Sequence, residues 1–231
     1  MKSNKYAFVI MFTLIFALTC GLSFADEERY RKAKKYEITI TNLTRGQIFS
    51  PPIVIAHDSN FSLFRLGEPA SDQLAALAEG GATGPLVDLI DDRYPTAVFD
   101  GAILPGHSES VILKISKRNR ARLISAAAML ISTNDAFLAV RNAWFYGKRN
   151  INLKASAYDA GSEQNTEACE DIPGPPCGPN DHPDVEAEGY VHIHAGIHGT
   201  NPEGTSESDL NPAMHDWNNP VAKITIRRVY H

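Results

Sequence analysis

Two acidic side chains flank a glycine in the segment Asp159-Ala160-Gly161-Ser162-Glu163. This segment follows a strand-like run, Ile151–Ala157, and a third acid, Asp135, follows another apolar run, Met129–Thr133. Hard cations such as Ca²⁺ take oxygen ligands from loops at strand ends, and a glycine can turn the chain so that both flanking acids point one way. The three carboxylates are therefore a candidate Ca²⁺ site, although a short acidic loop alone is more often a solvated turn.

Three histidines form a second candidate metal set. His192, His194 and His198 have the spacing H-x-H-x₃-H, and the first two would share one face of a strand. Imidazoles of this kind bind Zn²⁺ or Cu²⁺. No acid or cysteine at fixed spacing completes the set, so a polar outer strand face with an exposed loop histidine is the favoured interpretation.

Acid–histidine pairs occur at Asp181-His182-Pro183-Asp184 and at His215-Asp216. Such pairs could act as a general base and the group that orients it, which would suit a hydrolase. No nucleophile motif such as G-x-S-x-G accompanies them. We therefore expect loop residues here and a protein that is not an enzyme.

The N-terminus resembles a secretory signal. Lys2 and Lys5 precede the apolar run Ala7–Leu18, and Ser23-Phe24-Ala25 is a small-x-small cleavage site. We expect residues 1–25 to be removed, which leaves no transmembrane span and places the mature chain in the periplasm or outside the cell. Lipidation at Cys20 is the alternative, but Thr19 is larger than the residue that usually precedes such a site.

Charge and length limit the partners and the number of domains. The signal segment holds two of the 22 Lys and Arg residues and none of the 27 acids, so the mature net charge is about −7. This argues against nucleic acid and against an anionic membrane surface as partners. Roughly 200 mature residues fit one domain, 26–231.

The two cysteines that remain after cleavage, Cys169 and Cys177, enclose a loop rich in proline and glycine. An oxidising compartment and an even count favour a disulfide between them. A metal–thiolate pair is the less favoured alternative outside the cytosol.

The elements that must position these residues are mostly strands. Ser71–Glu79 has a helix signature, with Ser71 as N-cap and Gly80-Gly81 as the stop, and 85–92 is interpreted as a second short helical turn. The long polar segment Gln164–Glu188 is an insertion.

Alternating or continuous apolar runs predict strands at Tyr36–Leu43, Pro52–His57, Ser110–Ser116, Leu123–Thr133, Ile151–Ala157, Gly189–Gly196 and Pro220–Val229. Leu123–Thr133 also suits a helix by propensity, but its β-branched end favours a buried strand. The pattern predicts an all-β, antiparallel sandwich with one or two short helices in a loop excursion.

Several segments, in order, resemble the spondin N-terminal domain family. They are Ile55-Ala56-His57-Asp58-Ser59 with Ser62–Gly67, Ala70–Leu74 with Leu77-Ala78-Glu79-Gly80, Met129–Val140, Tyr158-Asp159-Ala160-Gly161-Ser162-Glu163 and Pro220–Ile226. Together they cover most of the mature chain, and the specificity lies in their order and spacing.

The resemblance implies a C2-like β-sandwich and a Ca²⁺ ion held at one end by Asp135, Asp159 and Glu163. The last acid is Glu where the family has Asp, and the animal proteins' cysteines after the first aspartate are missing here. Family domains bind receptors or surfaces in secreted proteins, so the expected function is a non-enzymatic binding or adhesion module. Its partner would be an unidentified protein or cell-surface ligand.

Overall fold

The structure is a computed structural model that describes residues 33–116, 118–178, 187–200, 204 and 207–230. The predicted signal, residues 1–25, and the acid–histidine segment 181–184 lie outside the described residues. Export and cleavage of the signal therefore stay predictions.

The described chain is mostly strand, and the all-β prediction is confirmed. Three short helices are present, with the 3₁₀ turn Asp91–Arg93 after the second: α1 (Asp72–Gly80), α2 (Gly84–Ile90) and α3 (Pro212–His215). The nine strands are β1 (Lys34–Asn42), β2 (Ile53–His57), β3 (Thr96–Val98), β4 (Ser108–Ile115), β5 (Leu123–Met129), β6 (Ala136–Trp144), β7 (Asn150–Asp159), β8 (His192–Ile193) and β9 (Ala222–Val229).

All paired strands are antiparallel and follow the order β3-β2-β5-β6-β7-β9-β1-β4, with β8 added to β7. Strand β7 belongs to both layers of the sandwich. Its residues 150–155 pair with β9, whereas residues 156–159 pair with β6. The strand order begins with β3 and ends with β4. These two strands lie against each other, so the sheet nearly closes on itself.

Burial on one or both faces explains the two kinds of strand sequence. The main core lies between the two layers and includes Ile38, Ile40, Leu138 and Ile224. A second core covers the outer face of the β2–β5–β6 layer, where α1 and α2 pack. Strand β1 therefore alternates, while β2 is apolar from Ile53 to Ala56 because it is buried on both faces.

Helix α1 begins and ends where its sequence predicts. Ser71 is the N-cap, and its hydroxyl accepts a hydrogen bond from the Leu74 backbone N–H. Gly81 ends the helix at φ +67°, and its N–H bonds back to the last turn. The helix buries Leu74, Leu77 and Ala78 against the sheet.

Two predicted strands are shorter than their sequence patterns indicate. Strand β5 ends at Met129 and Leu130 adds a single bridge to Phe49, so the strand prediction is wrong for 131–133. Residues 130–135 form a turn. The Thr133 side chain stabilises this turn, because its hydroxyl donates a hydrogen bond to the Leu130 carbonyl and accepts one from the Ala136 N–H. The prediction for 189–196 reduces to the two residues of β8, flanked by Gly189 and Gly196 at positive φ.

Candidate metal centre

Asp135 lies between the turn 130–135 and the loop after β7, and it holds the two together. Its Oδ2 accepts hydrogen bonds from the backbone N–H of Ser162 at 2.9 Å and of Glu163 at 3.1 Å, and from the Ser162 hydroxyl at 3.3 Å. Its other oxygen, Oδ1, is buried with no hydrogen-bond donor among the described residues. A fully buried carboxylate oxygen without a donor is unfavourable unless a cation or a proton satisfies it.

Asp159 is the last residue of β7 and is also fully buried. It pairs with Ala136 of β6 on one edge and with His192 of β8 on the other. Its Oδ1 accepts from the Gly161 N–H at 2.8 Å, and its Oδ2 accepts from the Asn165 side-chain amide. Asp159 is therefore fixed in place at the junction of three segments.

Gly161 lets a further segment approach this junction. It has φ +64°, and a Cβ there would lie 2.3 Å from the Tyr190 carbonyl oxygen. The Gly189 N–H donates to the Gly161 carbonyl at 2.9 Å. The absence of a side chain at 161 thus brings residues 188–192 against the loop that carries the predicted acids.

Asp159, Glu188 and His192 form a group that could hold a metal ion. One ligand atom from each lies within 4.8 Å of the other two. The Nδ1 of His192 is 3.7 Å from Asp159 Oδ1, and it is buried without a hydrogen-bond partner among the described residues. A single ion would bridge this gap, because ligand atoms about 2.0–2.2 Å from a metal are typically 3–4 Å from each other.

The metal-free site concentrates negative charge. Burial, followed by the neighbouring Asp159 carboxylate, raises the pKa of Asp135 well above its usual range. Burial also raises the pKa of Asp159, with a further contribution from Glu188, against the hydrogen bonds from Asn165 and Gly161 and the proximity of His192. A bound cation would relieve both the desolvation and the repulsion.

Glu163, the third predicted ligand, is buried beside Asp135. Burial raises the pKa of Glu163 to about 8, and the carboxylates of Glu79 and Asp171 contribute to this. The negative charge of Glu163 also raises the pKa of Asp135. Asp135 is therefore near both other predicted acids, but the three do not form a group whose ligand atoms all lie within 4.8 Å of one another. Among the described residues, that group is Asp159, Glu188 and His192.

His194 is not a member of the group of Asp159, Glu188 and His192, although its Nε2 lies 3.9 Å from Asp159 Oδ2, and His198 is not a member either. The Nδ1 of His194 accepts from the Gly196 N–H at 2.9 Å, so its Nε2 carries the proton and donates to Asn165 at 3.0 Å. Burial lowers the pKa of His194 to about 3, with His192 and His198 adding to the effect. His198 is exposed, so of the three predicted histidines only His192 is placed for metal binding.

Glu188 is the member of the group that the sequence reasoning missed, because it closes a long polar insertion. One signal could have found it. Glu188 and His192 stand four residues apart around Gly189, as Asp159 and Glu163 do around Gly161.

Both residues of the described acid–histidine pair accept hydrogen bonds from backbone N–H groups. The His215 Nδ1 accepts from the Asn211 N–H, and Asp216 accepts from the Ile197 N–H. A serine–histidine pair that the sequence analysis did not consider is present, with Ser125 Oγ 2.8 Å from His57 Nε2. Both residues are fully buried, and Ser125 accepts from the Asn142 N–H at a β-bulge, which is a structural role.

Cys169 and Cys177 form the expected disulfide, with 5.0 Å between their Cα atoms. The loop that it closes packs on the turn 130–135. The Ser132 hydroxyl donates to the Pro175 carbonyl at 2.6 Å, and the Asn134 amide donates to the Gln164 carbonyl at 2.9 Å. The disulfide loop therefore supports the turn that carries Asp135.

Comparison with known proteins adds no family: no protein-family model and no curated protein sequence matches this chain. Among the described residues, no helix is long and apolar enough to cross a bilayer.

Proposed function

We propose that this chain is an exported, non-enzymatic binding module whose loops are ordered by a Ca²⁺ ion at Asp135, Asp159 and Glu163. The observation that carries the proposal is the buried Asp135 Oδ1, which has no donor among the described residues and lies beside a second buried carboxylate. The resemblance to spondin N-terminal domains supports the same three residues. Oxygen donors from loops are the ligands that Ca²⁺ prefers.

The residues present fit this cation. Asp135 and Asp159 are fully buried acids, and burial is the largest cause that raises the pKa of both. A bound Ca²⁺ would supply a compensating positive charge and tie the turn 130–135 to the loop 159–163. The protein's own contribution is positional, since Asp135 already binds the backbone of residues 162 and 163.

Thermal melts and calorimetry with Ca²⁺, Mg²⁺ and EDTA on the mature protein test the proposal. At a free Ca²⁺ concentration of about 100 Kd we expect stabilisation of about 2.7 kcal/mol. Mg²⁺ should compete poorly because it prefers a tighter octahedral shell.

Asp159→Asn should weaken Ca²⁺ binding sharply, and in EDTA it should lose one of the two hydrogen bonds that the Asp159 oxygens accept from Gly161 and Asn165. The exposed Asp88→Asn is the matched control, which removes one charge from α2 and should bind Ca²⁺ normally. If EDTA leaves the wild-type melt unchanged and titrated Ca²⁺ gives no heat, the Ca²⁺ site does not exist.

A second candidate function is storage or delivery of a transition metal through Asp159, Glu188 and His192. The imidazole favours it, since Zn²⁺ and Cu²⁺ take nitrogen ligands more readily than Ca²⁺ does. Titration with Co²⁺ or Zn²⁺ separates the two functions. His192→Gln should abolish Co²⁺ binding and spare Ca²⁺ binding, whereas Asp135→Asn should have the opposite effect.

A further inference from the structure

Cationic side chains are concentrated at the end of the sandwich opposite the candidate metal centre. The pairing of Lys35 with Val229 and of Asn150 with Arg227 brings three segments to this end. The pairing of Leu123 with Trp144 brings a fourth. Each segment carries at least two Lys or Arg residues and no acid: 33–36, 118–122, 145–150 and 227–230. We call these four segments the basic end.

Tyr146 joins the two layers of the sandwich at the basic end. The Arg122 guanidinium lies 3.7 Å and the Lys34 ammonium 4.5 Å from the centre of its ring. The Arg122 carbonyl also accepts from the Phe145 N–H at 3.1 Å. These contacts fix the β4–β5 loop, the start of β1 and the β6–β7 turn relative to each other, so their charges act together.

Large aromatic side chains are exposed among these cations. Trp144 is 54% exposed and Tyr230 is 61% exposed, although both are of types that proteins normally bury. The Trp144 indole N–H donates to the Tyr146 carbonyl, which holds the ring at the surface. Tyr230 has the Arg228 guanidinium 4.8 Å from its ring centre.

Acids do little to neutralise this surface. Glu37 accepts two hydrogen bonds from Arg227, the shorter at 2.7 Å. Asp91 and Asp92 border one flank, in a groove that they share with Ala33. Elsewhere on the described part of the basic end, the exposed Arg118, Arg120, Lys148 and Arg149 face solvent.

We propose that the basic end binds the surface of an anionic lipid membrane, with Trp144 and Tyr230 inserted at the headgroup level. Clustered Lys and Arg attract anionic headgroups, and Trp and Tyr favour the membrane–water interface because they are amphipathic. Ala33, the first described residue, enters the fold at this end.

The negative net charge of the chain predicts repulsion from an anionic membrane. That charge, however, is a sum over both ends of the sandwich. Charges interact with a membrane over about one Debye length, roughly 8–10 Å. The acids of the metal centre lie at the other ends of the same strands, since β7 runs from Asn150 at the basic end to Asp159. The local charge therefore decides the interaction.

Co-sedimentation of the mature protein with vesicles tests the proposal. We expect binding to phosphatidylcholine vesicles that contain phosphatidylglycerol, no binding to phosphatidylcholine alone, and release as the salt concentration rises. The Trp144 emission should shift to the blue on binding, and Trp144→Phe should remove that shift because Trp217 is buried.

A triple charge reversal, Arg120→Glu, Lys148→Glu and Arg149→Glu, should weaken vesicle binding by more than about 100-fold. Arg45→Glu, Lys154→Glu and Lys223→Glu is the control with the same net charge, placed at exposed positions elsewhere; it should bind as the wild type does. Equal loss in both triple variants would overturn the proposal. So would equally tight binding of heparin or duplex DNA with no shift of Trp144, which would make this a general polyanion site.

Discussion

At the scale of single residues, the two carboxylate oxygens of Asp135 differ in their hydrogen bonding. One accepts three hydrogen bonds, and the other accepts none from the described residues. Asp135→Asn keeps an acceptor for the backbone donors and places an amide where the unsatisfied oxygen lies.

We therefore expect Asp135→Asn to stabilise the metal-free protein by about 1–3 kcal/mol while it abolishes Ca²⁺ binding. Chemical denaturation in EDTA and calorimetry with Ca²⁺ measure the two effects. Asp135→Ala is the contrast, because it leaves the N–H groups of residues 162 and 163 without their acceptor and should destabilise. If Asp135→Asn destabilised as much as Asp135→Ala, Oδ1 would have a partner that this interpretation lacks.

Glu163 predicts a pH dependence of the metal-free protein. Its folded pKa of about 8 is raised by burial above the value of about 4.3 for an unfolded chain. The folded state therefore binds more protons between these values, so stability from this residue is present below pH 4 and is lost as pH rises to about 8.

In EDTA, the free energy of unfolding of the wild type should fall by about 2–4 kcal/mol over this pH range, after allowance for screening. We expect Glu163→Gln to remove most of this fall. Urea denaturation at pH 5 and at pH 8.5 measures the difference. Glu109→Gln, at an exposed position of β4, is the control and should keep the wild-type slope. An unchanged slope in Glu163→Gln would assign the pH dependence to another group.

Sequence reasoning could find the acids of the site but not the complete group. Asp135, Asp159 and Glu163 stand at strand ends, where period-2 patterns stop and loops begin, so local sequence reveals them. Glu188 and His194 depend on contacts that span long sequence separations. His194 is committed to Asn165 and Gly196, which no spacing rule indicates.

At the scale of elements, Gly161 connects the loop after β7 with the segment that enters β8. Gly161→Ala combines positive φ with a Cβ that would lie within 3 Å of Tyr190 backbone atoms. We expect it to cost at least about 2 kcal/mol and to weaken metal binding through Glu188 and His192.

Gly189→Ala is the matched control for this substitution. Gly189 has φ +81° but nothing within 4 Å of the position a Cβ would take, so only the backbone term of about 1 kcal/mol remains. Thermal melts and metal titration of both variants measure the contribution of the close approach. Equal effects in the two variants would mean that the backbone at Tyr190 can shift to accommodate a Cβ at position 161.

The disulfide loop is the second element that supports the metal centre. Cys169→Ser with Cys177→Ser should destabilise by about 2.5 kcal/mol in the chain-entropy model for so short a loop. Because the loop packs on the turn 130–135, Ca²⁺ affinity should fall several-fold as well. Mass spectrometry of the non-reduced wild type should find no free thiol, and two free thiols would contradict the pairing.

The sequence predicted which segments are strands more reliably than it predicted the residue at which each strand ends. The apolar run at 123–129 is a strand because α1 covers one face of its layer and the other layer covers the second, which resolves the helix–strand ambiguity. Its end at Met129 depends on hydrogen bonds of the Thr133 hydroxyl. The helix α1 was predictable in full because both of its caps are local.

At the scale of the whole molecule, the predicted export would set the compartment in which the two ends of the sandwich meet their ligands. Expression in a secreting host should give a protein whose intact mass begins at Asp26, because Ser23-Phe24-Ala25 suits signal cleavage. Ala25→Tyr should block processing at this site, and Ala33→Tyr, downstream of it, is the control. A lipid-modified chain that begins at Cys20 would instead make the protein an anchored lipoprotein.

The pairing of β1 with β9 has a consequence for the order of events during synthesis. The first described strand, β1, lies between β4 and β9, in register from Lys35 with Val229 to Asn42 with Ala222. One edge of β1 therefore stays open during synthesis until β9 has been made. Contacts of such long sequence separation form slowly, so a nascent chain must be kept from aggregating until β9 has emerged.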